Sequence, residues 1–275
     1  MDRIDEKPSD RAGSHQMTTL GVAIITKNEE KNIIRCLSSV SFADDKIIID
    51  SHSTDRTVEF AKQCGARVIV RDFQGYSKEK QYAMDQLNTD WILALDADEI
   101  LSPELQIEIR NTINSPSALS GYNITRHQVF LGRILRYGRG VDYHMRLFRR
   151  GKGCYDGKEA HEVIILDGVA GRLNGVIIHV SSPNISDRMR KICAETDNEM
   201  QFIAPMPITK RQLFINPIIY FISYMIKKST WKDGIPGIIM LIMFCFQFFF
   251  LNARIYESYL LKNKKTEQDH FDWTN

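Results

Sequence analysis

The sequence predicts an α/β domain with a parallel sheet, followed by an apolar and amphipathic helical segment that associates with membrane. Over residues 20–101, short apolar runs alternate with helical patterns of about ten residues, as in strand–helix–strand units. The strand at 91–95 is apolar throughout, as a strand covered on both faces must be, and it ends in Asp96, Asp98 and Glu99. Residues 235–251 are apolar on every side except for Pro236, Gly237 and Gln247.

Composition fits a globular chain with one large domain and an appendage. Of 275 residues, 43% are hydrophobic and 25% charged. A net charge of +2 gives no general attraction to nucleic acid. The five cysteines, at 36, 64, 154, 193 and 245, have no metal-ligand or disulfide spacing, so the chain belongs in a reducing compartment. Residues 1–18 are polar and read as a disordered extension.

The elements follow in order. Residues 20–26 form a buried strand. Asn28 reads as the N-cap of a helix with Glu29 and Glu30 in its first turn and Ile33, Ile34, Leu37 and Val40 at helical spacing. A strand at 46–50, a polar turn through Ser51 and Asp55, and a helix at 57–64 come next. Gly65 sits where a helix end takes a left-handed residue. A third strand at 67–70 and a helix at 77–87 lead to the strand at 91–95. Ser102 and Pro103 then start another helix as cap and first residue. Strands at 122–129 and 145–149 flank a loop at 138–140. Residues 183–202 read as a polar helix, and Pro205 and Pro207 as a boundary. Residues 213–226 read as an amphipathic helix ending in Lys227 and Lys228.

The first four strands end in Thr26-Lys27-Asn28, Asp50-Ser51, Arg71-Asp72 and Asp96-Ala97-Asp98. Ligands of an open α/β sheet bind at the carboxyl ends of its strands, so these groups describe one crevice. The chain has neither a dinucleotide fingerprint nor a P-loop. Asp96 and Asp98, two apart around the small Ala97, suit a hard divalent cation that completes its shell with substrate phosphates. The bland alternative, that these acids only cap the next helix, is weaker because Ser102 and Pro103 already do so. Asp50 has a turn-capping alternative.

TKNEEKNIIRCLSSV, IIIDSHSTDRT and WILALDADE, in this order, resemble the family 2 glycosyltransferases with the GT-A nucleotide-sugar fold. The later HMRLFRR and the His161-Glu162 pair resemble the bacterial lipopolysaccharide inner-core β-1,4-glucosyltransferase branch. The resemblance spans about residues 20–180. It implies that Thr26, Asn28, Glu29, Asp50, Ser51, Lys78, Lys80, Asp96 and Ala97 bind a UDP-sugar. It implies that Asp96 and Asp98 hold Mg²⁺ or Mn²⁺, with His179 as a further ligand; a satisfied, partly buried histidine is the alternative there. After Asp50-Ser51 the chain carries His52, where the family has glycine or another small residue.

An inverting sugar transfer needs a base for the acceptor hydroxyl. Glu162 is the candidate from the His-Glu pattern, with Asp142 and Glu159 as alternatives and a simple arginine pair as the bland reading. Arg126 to Arg150 holds seven arginines and one acid, Asp142. Arg146, Arg149, Asp142 and His161 are therefore the acceptor-side candidates, unless the cluster is only a solvated basic face. The catalytic domain is expected over 19–182, a membrane-associating helical region over 183–261 and a flexible tail over 262–275.

The 17 residues of 235–251 fall short of the roughly 20 that a spanning helix needs, so a re-entrant or in-plane helix is expected. A buried core helix or an oligomer interface is the soluble alternative. The whole reads as an enzyme at the cytoplasmic face of the bacterial inner membrane, peripheral or monotopic. Its acceptor would be a lipid-linked saccharide, either a core heptose or a polyprenyl-linked sugar. A non-catalytic nucleotide-binding membrane protein is the rival from another class.

Overall fold

A computed structural model describes residues 18–158 and 162–264. The first half runs β1 (Leu20–Thr26), α1 (Ile33–Ser39), β2 (Asp45–Asp50), α2 (Thr57–Gln63), β3 (Arg67–Val70), α3 (Tyr76–Asp85) and β4 (Trp91–Asp96). These four strands are parallel in the order β3-β2-β1-β4. Their apolar runs are continuous because both faces are covered. Leu20, Val22, Ile24, Trp91, Leu93 and Leu95 join the core beneath α1. Ala23, Ile92 and Ala94, one position out of step, join the core beneath α3.

The chain then makes β5 (Glu99–Leu101), α4 (Pro103–Ile113), β6 (Gly121–Phe130), β7 (Arg133–Ile134), β8 (Val141–Arg149), β9 (Gly153–Tyr155), β10 (Ile164–Leu166) and β11 (Ala170–His179). The sheet continues past β4 as β8-β6-β11-β5. Only Ala97 and Asp98 separate β4 from β5, yet β5 pairs antiparallel with β11 at the far edge. Three peptide units reach about 11 Å at most. The sheet must therefore curl until its far edge returns beside the end of β4. The Asp96–Glu99 turn sits on the seam of that closure.

Two local expectations are corrected. Asn28 does not cap α1, which starts at Ile33. Asn28 adopts a left-handed φ of 57°, which asparagine tolerates. Its backbone N–H donates to Ser53 Oγ (2.8 Å) and its Oδ1 accepts from Thr54 N (2.8 Å), tying together the loops after β1 and β2. The apolar C-terminal helix is also longer than 235–251. α7 (Gly234–Lys264) has 31 residues, about 46 Å of helix, and includes the first residues of the expected tail. It passes through Asn252 and Arg254 because both are satisfied. Asn252 donates to Phe248 O (2.7 Å) and Arg254 pairs with Asp197.

α5 (Ile185–Met200) and α6 (Asn216–Lys227) precede it. Ile192 of α5, Met240 and Met243 of α7, and Phe130 and Leu135 share a small third core at the end of β6. By length and composition, α7 with the turn before it is the one helix among the described residues able to cross a membrane. The five cysteines are free thiols.

Candidate functional site

The site is built on the β4–β5 turn. Glu99, fully buried, accepts from Arg146 Nη2 (2.7 Å) and Arg126 Nη1 (3.0 Å) through Oε1. Its Oε2 accepts from the backbone N–H of Asp96 (3.0 Å). It faces the protein rather than the crevice and fixes where β4 stops. Asp96 Oδ1 lies 2.8 Å from Lys80 Nζ, and Oδ2 accepts from Arg146 Nη2 (3.1 Å). Burial pushes the Asp96 carboxyl up, but Lys80 and then Arg146 override it and hold the group well below the usual carboxylate range. Lys80 Nζ also lies 2.8 Å from Glu162 Oε1. One ammonium of α3 thus joins the end of β4 to a residue 66 positions later.

Arg146 reaches this place through a bulge. In the β6–β8 register, Tyr122 pairs with Leu147 and Asn123 with Met145, which leaves Arg146 as the extra residue. A bulge re-aims a side chain and is common beside active sites. Arg126 extends the network: it grips Asp142 with Nε (2.9 Å) and Nη2 (2.8 Å). Burial raises the Asp142 carboxyl, but His144, whose Nε2 lies 3.4 Å away, and the hydrogen bonds from Arg126 hold it far below its ordinary value.

Asp98 faces a different partner. His179, at the end of β11, places Nε2 3.1 Å from Asp98 Oδ2, and its buried Nδ1 has no hydrogen-bond partner among the described residues. Burial raises the Asp98 carboxyl, and the His179 hydrogen bond brings it below its usual value. Burial raises Glu29, and Asp98 adds to that rise; Lys191 of α5 opposes it. No group of three or more His, Cys, Asp or Glu among the described residues could hold a metal by itself. One carboxylate and one imidazole do fit a cation that takes its other ligands from phosphates. Asp96 does not fit the expected metal set, since each of its oxygens already faces a cation.

The remaining expected donor-side residues divide. Thr26 is buried at the end of β1 with its Oγ1 free of any partner among the described residues, and Ser51 N donates to Thr26 O (3.0 Å). Ala97 is buried within the turn. Asp50 is fully buried and accepts from Ser53 N (2.8 Å), which is the turn-capping arrangement. His52 takes a left-handed φ of 56° and places Nε2 2.9 Å from Asp72 Oδ1 at the surface. Lys78 is exposed and, two positions from Lys80, points about 200° around α3, away from the ion network.

The acceptor-side set is corrected in part. Arg146 is buried between Asp96 and Glu99, so it is an internal anchor and not a grip for an incoming saccharide. Arg149 pairs in register with Trp91, the first residue of β4, and stacks over that ring at 4.7 Å, at the opposite end of the strand from Asp96. His161 and Glu159 lie outside the described residues. Arg126 and Tyr155 are the site residues that the motifs did not single out. Burial pushes the Tyr155 hydroxyl up to about 12, against the opposing pull of Lys80 and Arg146. Only the position of Tyr155 within the 151–162 stretch, which carries Gly151, Gly153 and Gly157, hints at it.

The chain is similar to several known glycosyltransferases. The chain is 26% identical to the lipopolysaccharide core biosynthesis glycosyltransferase LpsC of Rhizobium meliloti, over 91% of this chain and 96% of that one. It is 30% identical to an uncharacterized glycosyltransferase of Rickettsia felis, over 90% and 93%. Among solved structures, Staphylococcus aureus TarS 1–349 in complex with UDP aligns over 93% of this chain and 94% of its own, with 13% identity and a TM-score of 0.43. The family model described as Glycosyl transferase family 2 matches residues 21–164, from β1 through Glu162 into β10. The curled mixed sheet is the GT-A fold, and the chain is a glycosyltransferase that belongs to family 2.

Proposed function

We propose that the protein is a metal-dependent, inverting hexosyltransferase that moves a sugar from a UDP-sugar to the inner-core heptose of lipopolysaccharide or lipooligosaccharide. Glucose is the sugar we favour. The observation that carries the reading is Lys80, 2.8 Å from both Asp96 and Glu162. It brings the D-x-D turn and the candidate base to one point of the crevice. The core-biosynthesis relative supports the acceptor class.

In this reading Thr26, Asn28, Glu29, Asp50, Ser51 and Ala97 shape the wall against the nucleotide. Asp98 and His179 hold the divalent cation, which when bound neutralises diphosphate charge on the leaving group. Lys80 stays protonated, because Asp96 outweighs the effect of its burial and raises it above its usual value. It orients Glu162 and lends positive charge to the donor side. Glu162 takes the proton of the acceptor hydroxyl as that oxygen attacks the anomeric carbon. Attack opposite the diphosphate inverts the configuration. The helices α5 to α7 hold the enzyme at the cytoplasmic membrane surface, where its lipid-linked acceptor resides.

The test is calorimetric titration of full-length, detergent-purified protein with UDP, with and without Mn²⁺. Binding that tightens with Mn²⁺ is expected. UDP binding in neither condition overturns the donor assignment, and equal binding in both removes the metal.

A further inference from the structure

We infer that α6 and the outer stripe of α7 form an in-plane docking surface for one leaflet of an anionic bilayer, and that α7 does not cross it. The inference deepens the proposed membrane association and rests on it. α6 is strongly apolar, yet none of its residues is buried. Ile218, Ile219, Ile222 and Ile226 are each at least half exposed, Ile226 at 71%. They fall on one face about 100° wide. On α7, Ile235 and Ile242 are also more than half exposed. The opposite side of α6 is accounted for: Tyr220 and Tyr224 pack on Phe244 and Phe248 of α7. A contiguous apolar face of this kind on a water-soluble surface calls for a partner.

Charge identifies the partner. Residues 201–232 contain no Asp or Glu, but they contain Lys210, Arg211, Lys227, Lys228 and Lys232. At the α6–α7 turn Trp231 is 55% exposed, and Lys232 Nζ lies 5.3 Å from the Tyr137 ring and 5.7 Å from the Trp231 ring. Trp, Tyr and Lys gathered at one level suit the headgroup region, and basic residues beside an apolar face suit anionic lipid.

The orientation follows from the other side of α7. Gln247, in the middle of its apolar run, donates to Glu195 Oε2 (2.9 Å) and accepts from Arg188 Nη2 (2.6 Å), both on α5. Arg254 pairs with Asp197, also on α5. A crossing α7 would carry this charged helix into hydrocarbon, where Arg and Asp are strongly disfavoured. With α7 lying in the plane, α5 stays on the aqueous side and the outer stripe alone enters the leaflet.

The test uses full-length protein and sealed phosphatidylcholine vesicles, with and without roughly 30% phosphatidylglycerol. Flotation is expected with the anionic vesicles, and at least about tenfold weaker with pure phosphatidylcholine. Ile218→Glu/Ile222→Glu changes outward side chains only and should abolish flotation while leaving UDP binding intact. Lys227→Glu/Lys228→Glu leaves the apolar face untouched and should weaken flotation about tenfold or more. In a chain whose five native cysteines are replaced by alanine, single cysteines at Lys232, just before α7, and at Leu261, near its end, should both react with an impermeant maleimide added outside. Three results overturn the inference: protection of one end, equal flotation on both lipids, or a wild-type dimer in solution that the isoleucine variant converts to monomer. Flotation without sugar transfer counts against the proposed function and leaves this inference standing.

Discussion

Replacing Lys80 by methionine is the sharpest probe of the site. The side chain is 14% exposed, and its partners Asp96 and Glu162 are 24% and 15% exposed. Removing one member of a buried ion pair costs about 3–5 kcal/mol, because the other charge loses its compensation. Asp96 keeps Arg146 at 3.1 Å, so the lower end applies, about 3 kcal/mol. For a chain of this size each kcal/mol shifts Tm by about 2–4 °C, so Lys80→Met should melt about 6–12 °C lower at pH 7. The sign with pH is fixed by Asp96. Against its burial, Lys80 first and Arg146 next hold its folded carboxyl far below the usual range. Stability from that depression is complete above the unfolded value of about 4 and is lost as pH falls through the folded value. The Tm gap between wild type and variant should therefore be constant from neutral pH down to about 5 and narrow below about 4. Thermal melts from neutral to acid pH measure it, with Lys80→Arg as the charge-retaining control. A Lys80→Met protein that melts with wild type at pH 7, or whose deficit does not narrow in acid, refutes the claim that Lys80 neutralises this turn.

Four other outcomes are expected. Glu162→Gln should lower turnover about 10²–10⁴-fold while UDP affinity holds, as loss of a general base requires; equal turnover removes Glu162 from that role. Asp98→Asn and His179→Ala each delete one protein donor to the proposed cation, worth about 1.5–3 kcal/mol. The Mn²⁺ concentration for half-maximal activity should rise roughly tenfold or more in each, and an unchanged titration would place the cation elsewhere. Arg149→Ala should lower Tm by the loss of its stacking on Trp91, about 0.5–2 kcal/mol, with no change in KM for the acceptor. A raised acceptor KM would return Arg149 to the acceptor side. Gly175→Ala would bring a Cβ to 2.5 Å from the Leu105 Cα, where backbone cannot yield. A cost of about 1–3 kcal/mol should appear in denaturant melts, and a neutral substitution would show that α4 is free to move off β11.

The parallel half of the sheet was legible because a strand covered on both faces has to be apolar at every position, as β1 and β4 are. The start of α4 was legible for an equally local reason: Ser102 Oγ accepts from Leu105 N at 3.2 Å and Pro103 follows it. What stayed hidden depends on distant pairing. β5 is three residues long and exists only because β11 returns beside it. Arg146 reads as one of many arginines until a register slip near Tyr122 turns it inward. The end of α7 was hidden because Asn252 and Arg254 look like terminators to a composition argument. Their partners, Phe248 O and Asp197, cannot be read from the apolar run.

The three acids that close β4 show most plainly what spacing leaves undecided. Asp96, Asp98 and Glu99 sit within four residues and look interchangeable as crevice carboxylates. Sheet closure gives them three different environments. Glu99 is drawn inside, where two guanidinium groups and a backbone N–H use both of its oxygens. Asp96 stays at the rim but is held by Lys80 and Arg146. Asp98 alone faces an imidazole, that of His179, instead of a guanidinium or an ammonium. A divalent cation competes far more easily with an imidazole than with a buried guanidinium and ammonium. The D-x-D pair is therefore asymmetric: its second carboxylate is available to a ligand, and its first keeps Lys80 beside Glu162.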